Sequence, residues 1–236
     1  MLQKYIHGDF LDYQLVSLNN SSSNYELLLQ KDILTLIKKI YKFNVHHMDI
    51  DQKILLNSDY TISEKHYAVY HLSDEALDED YDILQNIEES ILRELLQHIH
   101  HGDEKQDKVY LKQYELIETI MYSAKTLHDN RENFTVLYQS DSLMVKERFQ
   151  YLKEQMVDLY QIIADFIISS HETHDSELTK LLHHIDGNNL EITNLLGQHL
   201  HREALPGGEL SALLHLTSSL HRSHHAIVQA VKELKK

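Results

Sequence analysis

The chain has no cysteine, one proline and six glycines in 236 residues. Without cysteine there are no disulfides, no thiolate catalysis and no thiolate-bound zinc. This fits a reducing compartment. So few helix breakers imply few, long elements. There is no apolar run of about 18 residues and no signal-peptide pattern, so the sequence as given is expected not to span a membrane. Basic residues are also in deficit, 22 against 37 acidic, for a net charge of −15. That charge disfavours nucleic acid and unassisted docking on an anionic membrane. The remaining composition, 42% hydrophobic and 25% charged, is that of a folded water-exposed protein with a sizeable core.

Apolar spacing supplies the elements. Residues 1–20 mix aromatics with Gly8 and end in Asn-Asn, an irregular lead-in. Ser21 to Asn24 offer N-caps for a helix over about 25–47, whose stripe is Leu29, Ile33, Leu36, Ile37 and Ile40. A connector over 48–60 precedes a helix that is clear from Ser73 and ends near His98 to Gly102. Its stripe is Leu77, Tyr81, Leu84, Ile87, Ile91 and Leu95. The stretch 110–138 lacks Gly and Pro and reads as one helix, with Tyr110, Tyr114, Ile117, Met121 and Ala124 beside Leu116, Ile120 and Leu127. Ser140-Asp141-Ser142 caps a fourth helix to about 170. The fifth covers about 175–202, with a disturbance expected at Asp186-Gly187-Asn188-Asn189. After Leu205-Pro206-Gly207-Gly208 the sixth runs to about 235 and ends on lysines, which suit its dipole. The expected fold is all-α: two antiparallel three-helix bundles, over 21–139 and 140–236, with pseudo-twofold similarity.

One polar set supports the repeat. Lys125, Asp129 and Asn133 are spaced by four on the third helix, and His221, His225 and Gln229 on the sixth, each pair 96 positions apart. Together with Met121-Tyr122-Ser123-Ala124-Lys125, and more weakly with Leu220 to Leu234, Phe10-Leu11-Asp12 and Lys31-Asp32, this resembles the PhoU family. The nearest likeness is to the PhoU-like C-terminal region of bacterial sodium/phosphate cotransporters. The resemblance implies a non-catalytic cytoplasmic regulatory domain at the inner face of the cell membrane. Its partner would be the transporter's transmembrane part or a second copy of itself. A stand-alone PhoU-like phosphate-signalling protein is the nearby alternative. PhoU proteins carry Glu/Asp-x-x-x-Asp pairs that bind metal clusters on the third helix of each repeat. Here the matching pairs are Lys125/Asp129 and His221/His225. Lys125 repels a cation and is expected to pair with Asp129. His221 and His225 share a helical face and are candidate ligands for zinc or a similar divalent ion, though two ligands alone are not a site.

Other constellations carry competing chemistry. Glu154 and Asp158, with Glu147 and Asp165 on much the same face, form an acidic stripe that is a candidate cation site or simply a solvated face. The His clusters at 46–47, 98–101 and 183–184 fall near helix ends or on exposed faces. His128-Asp129 and His174-Asp175 each match the His-Asp doublet of helical metal-dependent phosphohydrolases, and His128-Asp129 is the basis of an enzymatic alternative. No Glu-x-x-His pair, Gly-rich phosphate loop or nucleophile elbow is present.

Overall fold

The computed structural model describes residues 24–50, 74–99, 104–168, 175–199 and 207–234. These residues form helices and short turns, with no strand among them. The helices are α1 (Asn24–His47), α2 (Asp74–His98), α3 (Glu104–His128), α4 (Arg131–Tyr138), α5 (Leu143–Ile168), α6 (Asp175–His199) and α7 (Gly207–Leu234). The lead-in, the Ser21–Ser23 cap and most of the connector after α1 lie outside the described residues.

The apolar stripes are buried as their spacing requires. Ile33, Leu36, Ile37 and Ile40 of α1 are fully enclosed, as are Ile117, Ile120, Ala124 and Leu127 of α3. Each large aliphatic side chain removed from water contributes about 1.5–3 kcal/mol. α1, α2 and α3 each pack on the other two. α5 and α6 both pack on α7 but barely on one another. The two groups meet mainly where α3 crosses α7, and α4 also lies on α7.

Small residues let α3 and α7 approach closely. Ser123 Oγ and Ser223 Oγ lie 2.9 Å apart, and Ser223 Oγ donates to the Ser123 carbonyl at 2.9 Å. Asn44 Nδ2 of α1 donates to Ser123 Oγ at 2.9 Å and to the Tyr160 hydroxyl of α5 at 2.7 Å. All four side chains are buried, so this polar knot ties α1, α3, α5 and α7 at one point. Buried hydroxyls and amides are tolerated because they bond one another. The two serines are 100 positions apart, so the crossing does not fall at the spacing of 96 that relates the polar sets.

Two sequence expectations need correction. The stretch 110–138 is not one helix, because the chain turns at Asp129-Asn130 between α3 and α4. Asp and Asn compete for the backbone with their own side chains. Asn130 Nδ2 donates to the Thr126 carbonyl at 2.8 Å and to Ser219 Oγ of α7 at 2.7 Å. α4 then buries Phe134 and Leu137. Conversely, Asp186-Gly187-Asn188-Asn189 causes no break, and α6 runs straight through it. The Ser140–Ser142 cap is present, with the Val145 amide donating to Ser142 Oγ at 3.4 Å.

Candidate metal centre

His221 and His225 stand one turn apart on α7, which brings their imidazoles side by side with ring centroids 4.8 Å apart. Both reach α6. His221 Nε2 donates to Asp186 Oδ1 at 2.9 Å, and His225 Nε2 donates to the same oxygen at 2.7 Å. The two hydrogen bonds hold the Asp186 carboxyl below the usual carboxylate range, His221 contributing more than His225. One ligand atom from each of the three residues lies within 4.8 Å of the others. Among the described residues this is the only gathering of three or more His, Cys, Asp or Glu side chains close enough to share an ion. Two imidazole nitrogens and one carboxylate oxygen suit zinc and its first-row neighbours, and they leave coordination positions open. The residues therefore fit a divalent ion that would replace the two N–H···O bonds and join α6 to α7. All three side chains keep contact with water, so an ion has an approach.

Sequence spacing identified His221 and His225 but missed Asp186. It lies 35 positions before His221 on another helix and was read only as part of a helix disturbance. Gln229, one turn beyond His225, is exposed beside a shallow groove that Thr119 and Tyr122 of α3 also border.

The first half has a cluster of similar outline. Asp78 of α2 accepts from His128 Nε2 at 3.0 Å and from Arg131 at the start of α4. These bonds hold the Asp78 carboxyl low, that from Arg131 being the stronger influence. His128 stacks on Tyr81, with centroids 4.1 Å apart. A guanidinium stays charged at any ordinary pH, so it opposes a metal ion at this carboxylate. Asp129 is paired with Lys125 at 2.7 Å, and both side chains are at least half exposed. His128 Nδ1 and Asp129 Oδ1 are 3.8 Å apart, and each residue has its shorter contact elsewhere. Asn133 lies beyond the turn on α4, where it donates to Asn130 Oδ1 at 2.8 Å. It does not continue a face with Lys125 and Asp129.

The acidic stripe on α5 does not gather into a ligand set. Glu154 accepts from Gln150 Nε2 at 3.2 Å and Asp158 is exposed, while the Asp165 side chain lies outside the described residues. His46 and His47 end α1 as expected and are buried, and His47 lies edge-on to Phe134 with centroids 5.0 Å apart. His183 and His184 are exposed on α6. His100, His101 and His174 lie outside the described residues.

In comparisons with protein-family models, with curated proteins and with solved structures, nothing matches this chain.

Proposed function

We propose that this chain is a non-catalytic, PhoU-like regulatory domain that tunes a sodium-dependent phosphate transporter from its cytoplasmic side and holds a divalent transition metal through Asp186, His221 and His225. The observation that carries the reading is where the ligand group sits. It lies on the last helix of the second three-helix group, where the family likeness puts metal, and gains its third member from the preceding helix. The pairing of α3 with α7 as the seam between the groups supports the same reading.

No helix among the described residues is long and apolar enough to cross a membrane, so passage of phosphate would belong to a partner. A metal ion would fix the spacing of α6 and α7 and so the outline of the second group. That gives a regulator a metal-dependent surface. His128 and Asp129 favour this over phosphoester hydrolysis, because Asp78, itself paired with Arg131, engages His128, and Lys125 engages Asp129.

The test is genetic. Excising the segment for residues 24–234 in the host should change the rate of sodium-driven uptake of radiolabelled phosphate by at least about twofold. Restoring it with His221→Ala/His225→Ala should restore regulation only in part. Unchanged uptake on excision overturns the assignment to phosphate transport.

A further inference from the structure

Lys153 of α5 is only 8% exposed. Its Nζ sits 4.7 Å from the centroid of the Tyr138 ring, at the end of α4, and 5.2 Å from that of Phe149, one turn back on α5. The two rings meet edge to face with centroids 4.8 Å apart, so the amine lies in an aromatic corner. An ammonium that leaves water needs hydrogen-bond acceptors. Among the described residues none accepts from Nζ. The carboxylate that acts on it is Asp49, just after α1, and the Tyr138 hydroxyl already bonds that carboxylate. As a structural element such a lysine is costly, because an apolar side chain would fill the corner without desolvating a charge.

The same burial makes the amine reactive. It holds the Lys153 ammonium below the usual lysine range, and Asp49 offsets only part of this. Desolvation turns lysine into a nucleophile, since the neutral amine carries the lone pair. Nor is the amine sealed: Nζ keeps a small opening to water, and the Tyr138 ring beside it is 40% exposed.

The corner selects the electrophile. Aromatic faces attract cations and repel anions. A carbamate formed from carbon dioxide would set a negative charge against both rings and near Asp49. An acyl phosphate would meet the same carboxylate and a chain of net charge −15. An uncharged aldehyde meets neither obstacle, and its protonated imine keeps a positive charge where the ammonium was.

We propose that Lys153 is a carbonyl-capture site that takes a small uncharged aldehyde as an imine. The Nζ lone pair attacks the carbonyl carbon. The C–N double bond forms as the C–O bond breaks, and the oxygen leaves as water with the two amine hydrogens, so no oxidant or reductant is needed. The site shares no residue with the metal centre and stands without the assignment to phosphate transport.

Reductive trapping of the whole chain with propanal and cyanoborohydride at about pH 7, read by peptide mass spectrometry, tests this. Lys153 should be alkylated at least about tenfold faster than the mean of the other lysines, whereas a merely buried lysine would react more slowly than they do. Glyoxylate, an aldehyde of similar size that carries a carboxylate, should show no preference for Lys153. Asp49→Asn, which suits the left-handed backbone there (φ 54°), should speed the Lys153 reaction about two- to threefold, because a carboxylate no longer favours the ammonium. The proposal is overturned if Lys153 reacts no faster than the mean of the other lysines, if glyoxylate prefers it as strongly as propanal does, or if Asp49→Asn slows the reaction.

Discussion

Asp78 and Asp186 occupy comparable places in the two halves of the molecule, and their partners set them apart. Each carboxylate projects from the second helix of its group and accepts hydrogen bonds from the chain that follows. Each cluster has a buried histidine close by, His47 in the first half and His224 in the second. In the first half Arg131 is a permanent cation, and the cluster is a closed ion pair. In the second both donors are imidazoles, which give up their protons and then offer lone pairs. If the second cluster takes metal as proposed, Arg131 is the difference that would keep the first from doing so.

The buried histidines should give the largest effect. Burial is the main reason that His47 and His224 are both lowered to about 3, from an ordinary value near 6.5. The unfolded chain therefore binds more protons between these limits, and stability falls as pH drops from about 6.5 towards about 3. Each histidine contributes at most about 1.4 kcal/mol per pH unit in that window. Urea unfolding across this range should show a steep acid limb. His224→Phe and His47→Phe should each flatten it by a similar amount, and an unequal response would break the parallel between the halves.

Metal response comes next and separates the clusters directly. At about 100-fold excess over its dissociation constant, zinc should stabilise the folded chain by about 2.7 kcal/mol, or roughly 5–10 °C in melting temperature. The rise should shrink from about pH 7.5 to about pH 5.5, because protonated imidazoles are not ligands. His221→Ala/His225→Ala should abolish it. Arg131→His should add a second equivalent of bound zinc in a calorimetric titration by freeing Asp78 and His128. A stoichiometry that stays at one in that variant means that more than the arginine distinguishes the halves.

The smallest effect is expected at Lys125 and Asp129. Their side chains are 59% and 50% exposed, so the ion pair is a solvated one. Lys125→Ala should cost only about 0.3–0.5 kcal/mol in a denaturant melt, and added salt should shrink even that. A loss of several kcal/mol would mean that the pair serves the seam between the halves.

Most helices were legible because burial imposes a period of three and four on apolar residues, and the stripes of α1, α2 and α3 obey it. The turn at Asp129-Asn130 was not, because no Gly or Pro marks it and the periodicity runs on past it. What holds it is the Asn130 bond to Ser219, 89 positions away. Gly187 misled in the other direction. A lone glycine costs a helix only about 1 kcal/mol, which the packing of Leu181, Ile185 and Ile192 outweighs.

The sequence by itself determined the all-α class, the buried stripes, the Lys125–Asp129 pair and the His221/His225 pair. All of these are relations within one helix, where residues three or four apart must be neighbours. Tertiary structure alone decided that Asp186 completes the histidine pair and that Arg131 occupies Asp78. It also decided that Ser123 and Ser223 meet with Asn44 and Tyr160, and that Lys153 of α5 lies over Tyr138 of α4. Each of these depends on how whole helices cross, which side-chain packing across the molecule sets and no local spacing encodes.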